Sequence, residues 1–176
     1  MHSRRRLHNL ILCALFSALT ALATVVVQIP SPLSGFINLG DCLVLSSSFL
    51  LGPVYGTVAA AIGSMLADLI AGYAIYAPAT FVIKGCVALV ACLLFRALAR
   101  LMPRLPARLI SATAGESVMV LGYFAYEALA LGYGAGAVLG MPANAVQAIA
   151  GIALCAVLVP ILQKTPYLAD PSAQKK

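Results

Sequence analysis

The sequence predicts an all-α protein, an integral membrane bundle of six transmembrane helices with both termini cytoplasmic. Three observations lead there. Hydrophobic residues make up 62% of the chain and charged residues only 9%, with a mean hydropathy of +1.02, whereas a soluble domain is roughly half apolar. The 176 residues have room for about six spans of ~20 residues joined by short turns, and none for a separate soluble catalytic domain. Apart from Lys84, the lysines and arginines fall at the termini and on alternate connections, as the positive-inside rule requires.

The elements follow in order. Arg4, Arg5 and Arg6 precede an apolar run from Leu7 to Ile29, too long for the apolar core of a signal peptide and without an A-x-A site, so it reads as a retained first helix. Ala14 and Ala18 form a small-xxx-small pair in it, which allows another helix to approach closely. Pro30 to Ile37, with two prolines, two serines and Gly35, reads as an external loop. A short second helix from about Leu39 to Leu51 ends in the turn Gly52-Pro53-Val54-Tyr55-Gly56. The third, from about Tyr55 to Ala71, carries Gly56, Ala60, Gly63 and Ala67 on one seam and must pack closely along it. Gly72 to Pro78 forms an uncharged turn, followed by helices from about Ala79 to Leu101 and from about Leu109 to Leu131. After the glycine-rich stretch from Gly132 to Gly140, the sixth runs to about Gln163. Residues 1–164 thus form one membrane domain, and 165–176 read as a flexible cytoplasmic tail.

If the first helix starts inside, Arg4 to Arg6, then Arg96, Arg100, Arg104 and Arg108, then Lys164, Lys175 and Lys176 are all cytoplasmic, and the three external turns contain no lysine or arginine. This topology accounts for the formal charge of +6. A nucleic-acid surface would interleave basic with aromatic residues, and this chain does not. Its five cysteines lack CxxC or Cys/His spacing, so neither a metal site nor a disulfide framework is indicated and they read as packing residues.

Lys84 remains, alone among the basic residues, inside a span. Ionised side chains are costly in hydrocarbon and mark a polar interior. By depth, Asn38, Asp41, Asp68, Tyr76, Lys84, Tyr123, Glu127, Asn144 and Gln147 converge near one outer level from five helices, and Glu116 sits deeper. Glu116, Val120, Tyr123 and Glu127 share one face of the fifth helix, and Asn144 and Gln147 share one face of the sixth. The expectation is a polar pocket open to the outside. Plainer readings stand beside it: Asp68 and Lys84 as a packing ion pair, Asn38 as a helix cap, Tyr73 and Tyr76 as interfacial belt residues, Asn144 and Gln147 as interhelical glue. None of these explains the whole set. With Asp41, Asp68 and Glu127 against Lys84, the pocket leans negative and suits a neutral or weakly basic ligand that carries hydrogen-bond donors, with Tyr76 and Tyr123 as aromatic faces.

The stretches GFINLGD, LLGPVYG and GSMLADLIAGYAIYAPATFVIKG, with the AxxxA of the first helix, resemble the substrate-binding S components of energy-coupling factor (ECF) vitamin transporters. The likeness spans nearly the whole chain, is densest from Gly35 to Gly85, and looks closest to the riboflavin-like group with its hydroxymethylpyrimidine and pyridoxine carriers. The resemblance implies a multi-pass protein of a prokaryotic plasma membrane that captures a vitamin and topples while docked to a transmembrane T subunit and two cytosolic ATPases. It further implies that Ala14 and Ala18 contact the T subunit and that Pro30 to Ile37, with Pro30, Ser34 and Gly35, is a gating loop. The substrate does not carry over: hydroxymethylpyrimidine or pyridoxine suits the pocket, and pantothenate or riboflavin is the alternative.

No Walker A, HExxH or nucleophile-base-acid set is present, so the ATP chemistry belongs to partners and no cofactor is implied. A membrane enzyme with Glu116 or Glu127 as general base would lack a catalytic partner, since His2 and His8 lie at the N-terminal end. A stand-alone proton-coupled transporter would be favoured by inverted repeats, which the two halves do not show.

Overall fold

The computed structural model describes residues 2–30 and 36–165. Its α-helices are α1 (His2–Val26), α2 (Gly40–Ile70), α3 (Ala77–Leu98), α4 (Arg104–Ala125) and α5 (Met141–Leu162). Two short strands, β1 (Ile29–Pro30) and β2 (Phe36–Ile37), pair antiparallel between α1 and α2, with Ile29 opposite Ile37. A π-helical turn, Tyr126–Ala130, extends α4, and a 3-10 helix, Gly134–Gly140, leads into α5.

α2 is two antiparallel limbs rather than one rod. Gly52 has φ +82° inside it, a left-handed conformation that glycine adopts without a Cβ penalty, and Pro53 then opens the second limb with a φ already suited to a first turn. The reversal is visible across it: the Ser47 hydroxyl donates to the Gly56 carbonyl at 3.2 Å, although nine residues along a straight helix would be about 13.5 Å apart. A Cβ on Gly56 would lie 2.6 Å from the Ser47 carbonyl oxygen, so only glycine lets the limbs touch there. The expected turn from Gly52 to Gly56 therefore contracts to Gly52 itself, and the chain has six helical limbs in five continuous helices among the described residues. The expected seam holds. Gly56, Ala60, Gly63 and Ala67 are all buried, with Gly63 against the α1 backbone at Ser17.

Prolines set the other starts. Pro78 and Pro142 occupy the first positions of α3 and α5, where a missing N–H costs nothing. α4 begins at Arg104, five residues earlier than expected, after Pro103 as its N-cap. Arg108 consequently sits in the helix, not on the connection, and is buried with its guanidinium 6.0 Å from the Phe49 ring and 5.8 Å from the Phe95 ring. Those distances suit cation–π contact.

α2 packs on α1 and α3, α3 on α4, α4 on α5, and α5 returns to α2. The central cluster includes Val44, Leu45, Val87, Ala88, Ala91, Ala112, Met119, Cys155 and Val159. Small residues dominate because backbones meet closely and no water-driven force separates lipid from core. Ser46, Ser47 and Ser48 are fully buried beside it; Ser46 and Ser47 turn their hydroxyls back onto the Cys42 and Val44 carbonyls, which satisfies them inside the bundle. The outward surface is apolar: Leu10, Ile11, Leu22, Val82, Leu93, Leu129, Ile149 and Val157 all stand exposed, a surface that suits hydrocarbon rather than water. The helical segments Arg6–Val26, Gly40–Ile70, Ala77–Leu98 and Gly134–Leu162 are long and apolar enough to cross a membrane. α4 has the length but carries Arg104, Arg108 and Glu116. All five cysteines are free, with Cys86 exposed and the rest buried.

Candidate ligand-binding site

At the end of the bundle where β1 and β2 pair, a pocket of about 530 Å³, its open mouth included, lies between the β2 strand and the ends of α2, α3, α4 and α5. Phe36, Ile37 and Asn38 form one side and Asp68, Tyr73, Tyr76 and Thr80 a second. Tyr123 and Glu127 of α4 and its π-turn, with Gly140, Ala143, Asn144 and Gln147, complete the lining.

The aromatic mouth is continuous. Phe36 meets Tyr73 at 5.0 Å between ring centroids, Tyr73 meets Tyr76 at 6.5 Å, and Tyr76 meets Tyr126 at 5.7 Å, all within the favourable range for ring pairs. Tyr76 is buried in the wall and is no belt residue. Its hydroxyl donates to Glu127 Oε1 at 3.3 Å. Burial first, and then the Glu127 carboxylate, raise the Tyr76 hydroxyl above its ordinary pKa, which keeps it a donor. Glu127 reaches this position from the π-turn, where the Leu131 N–H bonds back five residues to the Tyr126 carbonyl at 3.1 Å. Such turns insert one extra residue into a helix and recur at functional sites. Gly132 and Gly134, at φ +75° and +54°, then let the chain turn toward α5.

Beneath the pocket lies a second polar layer. Lys84 Nζ donates to Asp41 Oδ1 as an ion pair, and Gln147 Nε2 donates to Asp41 Oδ2 at 2.6 Å. Gln147 Oε1 accepts from the Asn38 backbone N–H at 2.9 Å and from Asn38 Nδ2 at 3.2 Å, and Asn38 Oδ1 accepts from the Gly40 N–H at 2.8 Å. Lys84 also reaches Met119 Sδ at 2.8 Å and lies 5.6 Å from the Tyr123 ring centroid. The layer can form because Gly151 admits the backbone of α2: a Cβ there would stand 2.8 Å from Asp41 Cβ.

The expected residues thus divide. Asn38, Asp68, Tyr76, Tyr123, Glu127, Asn144 and Gln147 line the pocket, whereas Asp41 and Lys84 do not. Lys84 pairs with Asp41, not with Asp68 as the plainer reading had it; Asp68 lies beside Thr80 instead. Asn38 both steadies the start of α2 and joins the floor. Tyr73, Thr80, Phe36, Ile37, Gly140 and Ala143 were missing from the expected set. An isolated threonine in an apolar run or a glycine after a turn carries no signal of which cavity it borders. Of the expected gating loop, Ser34 and Gly35 lie outside the described residues, and for Pro30 the backbone alone is described, paired with Phe36. Ala14 and Ala18 are exposed on α1. Among the described residues no group of His, Cys, Asp and Glu could hold a metal ion.

Residues 5–164 match the family of ECF-type riboflavin transporter S components. The chain belongs to that family. This S component is also similar to a protein of Pyrococcus woesei described as an uncharacterized protein in the gap 3' region, 36% identical over 143 residues, which is 80% of this chain and 92% of the other. As a member of its family the S component is a vitamin-transport membrane protein, and its pocket sits within the matched residues.

Proposed function

We propose that this S component captures a small heteroaromatic vitamin or precursor, of the hydroxymethylpyrimidine or pyridoxine kind, in the pocket at its β-hairpin end. That end faces out of a prokaryotic cell, and six helical limbs cross the plasma membrane with both termini cytoplasmic. The aromatic mouth carries this reading: Phe36, Tyr73, Tyr76 and Tyr123 line the pocket, aromatic walls that suit a flat ring and give little to a chain-like carboxylate such as pantothenate. Asn38, Asn144 and Gln147 supply amide groups beside it. Riboflavin is the second reading, favoured by the family match; its larger ring system needs the full width of the pocket.

The protein hydrolyses no ATP itself. Transport draws on a transmembrane T subunit and two cytosolic ATPases, docked along the α1 face where Ala14 and Ala18 are exposed. The segment from Pro30 to Ile37, whose ends pair as β1 and β2, closes over the bound vitamin. Titration of the purified protein with hydroxymethylpyrimidine, pyridoxine, riboflavin and pantothenate tests the reading. Tight binding of one of the first two supports it, tight riboflavin binding selects the second reading, and a preference for pantothenate refutes both. Leucine at Ala14 or Ala18 is expected to reduce co-purification with the T subunit while ligand affinity is retained; undiminished complex yield would remove the docking role.

A further inference from the structure

Two carboxylates in the pocket wall are left incomplete by the protein. Asp68 and Glu127 are 7% and 5% exposed. Glu127 Oε1 accepts from the Tyr76 hydroxyl at 3.3 Å, and Asp68 lies beside Thr80 and within the field of Lys84. Among the described residues Asp68 Oδ2 and Glu127 Oε2 have no hydrogen-bond partner; both Glu116 oxygens share that state, but Glu116 lies off the pocket. Buried acceptors are satisfied in folded proteins with few exceptions, and an exception calls for a physical cause.

Among the described residues, several donors near them are already engaged. Lys84 is held below the pocket by Asp41, and Gln147 Nε2 is turned to the same carboxylate. The Tyr76 hydroxyl is spent on Glu127, and the Thr80 hydroxyl also meets Tyr123 Oη at 3.0 Å. Asp68 comes from the end of α2 and Glu127 from the π-turn after α4, so two separate elements bring an acceptor to one pocket that is otherwise lined by rings and amides.

We propose that Asp68 and Glu127 form a two-point acceptor site that selects a flat nitrogen heterocycle bearing N–H donors, on an exocyclic amino group or a ring imide, and turns anionic ligands away. The proposal rests on the reading of the pocket as a vitamin site and names what that site discriminates. A ligand with donors completes both carboxylates by charge-assisted hydrogen bonds. An analogue without them leaves buried acceptors unpaired, which is how a polar site rejects a close isostere far more strongly than an apolar one can. A carboxylate ligand would meet two like charges with no cation in the lining to offset them.

Calorimetric titration of the full chain in lipid nanodiscs tests this with matched probes: hydroxymethylpyrimidine against its 4-dimethylamino analogue, riboflavin against 3-methylriboflavin, and pantothenate. The donor-bearing member of at least one pair is expected to bind about tenfold or more tightly than its partner. Asp68→Asn and Glu127→Gln should each narrow that ratio, because they remove the charge that prefers a donor. A merely structural role would weaken both members of a pair equally and leave the ratio unchanged, and that result overturns the proposal. Equal affinity within both pairs, or a preference for pantothenate, overturns it while a vitamin site survives. Binding by none of the five removes the vitamin reading and the proposal together.

Discussion

Two polar layers share one end of the bundle and differ in who completes them. In the floor, Asp41 accepts from Lys84 and from Gln147, and Gln147 in turn accepts from Asn38. In the wall above, Asp68 and Glu127 each retain an oxygen with no hydrogen-bond partner among the described residues. Both layers hold ionisable residues inside an apolar bundle, so the cost of burying charge does not by itself distinguish them. Closure does. A buried pair whose hydrogen bonds end within the protein fixes helix positions, whereas an open acceptor beside a cavity is left for whatever enters it.

Breaking the floor should have the largest effect. Lys84→Met leaves Asp41 buried without its counter-charge and is expected to cost about 3–5 kcal/mol of stability, read as a lowered thermal midpoint of the purified protein in detergent. Lys84→Met combined with Asp41→Leu should recover much of that loss, since an apolar pair of similar volume removes both charges of the ion pair together. A double variant no more stable than the single one would show that the two residues do not act as a unit.

A smaller loss is expected where the floor is crowded rather than cut. Gly151→Val would press its side chain on Asp41, whose Cβ lies 2.8 Å from the site of an added Cβ, and overpacking of this kind costs about 1–3 kcal/mol. The same melting measurement checks it. An unchanged midpoint would mean that α5 and the start of α2 can separate without disturbing the ion pair.

The smallest effect on stability should come from the wall. Asp68→Asn breaks no ion pair, because Lys84 belongs to Asp41, and its stability should fall far less than that of Lys84→Met. Its consequence is expected in ligand affinity. A loss of stability as large as that of Lys84→Met would make the two layers a single network and erase the distinction.

Much of this arrangement was legible in the residues. A high apolar content with few charges requires a bundle that hides its polar groups, and helical spacing alone aligned Glu116, Tyr123 and Glu127 on the inner side of α4. The small-residue seam of α2 was readable for the same reason, since glycine and alanine at such spacing leave no bulk to hold helices apart. The π-turn was not readable, because one residue inserted into a helix leaves composition and periodicity almost untouched. The position of Arg108 was misread with the start of α4: basic residues on both sides of Pro103 suggest one long connection until packing draws the second arginine between Phe49 and Phe95.

By itself the sequence determined the helical class, the approximate helix limits, and which polar residues had to turn inward, since these follow from hydrocarbon cost and helical period along a single segment. Only the tertiary structure decided which acid Lys84 takes. Asp41 and Asp68 stand on opposite limbs of one hairpin, and both can be placed near α3 by depth. The choice fell to Asp41 because Gly151 lets α5 close on that limb and Gln147 completes the carboxylate, a convergence of three helices that no single segment encodes.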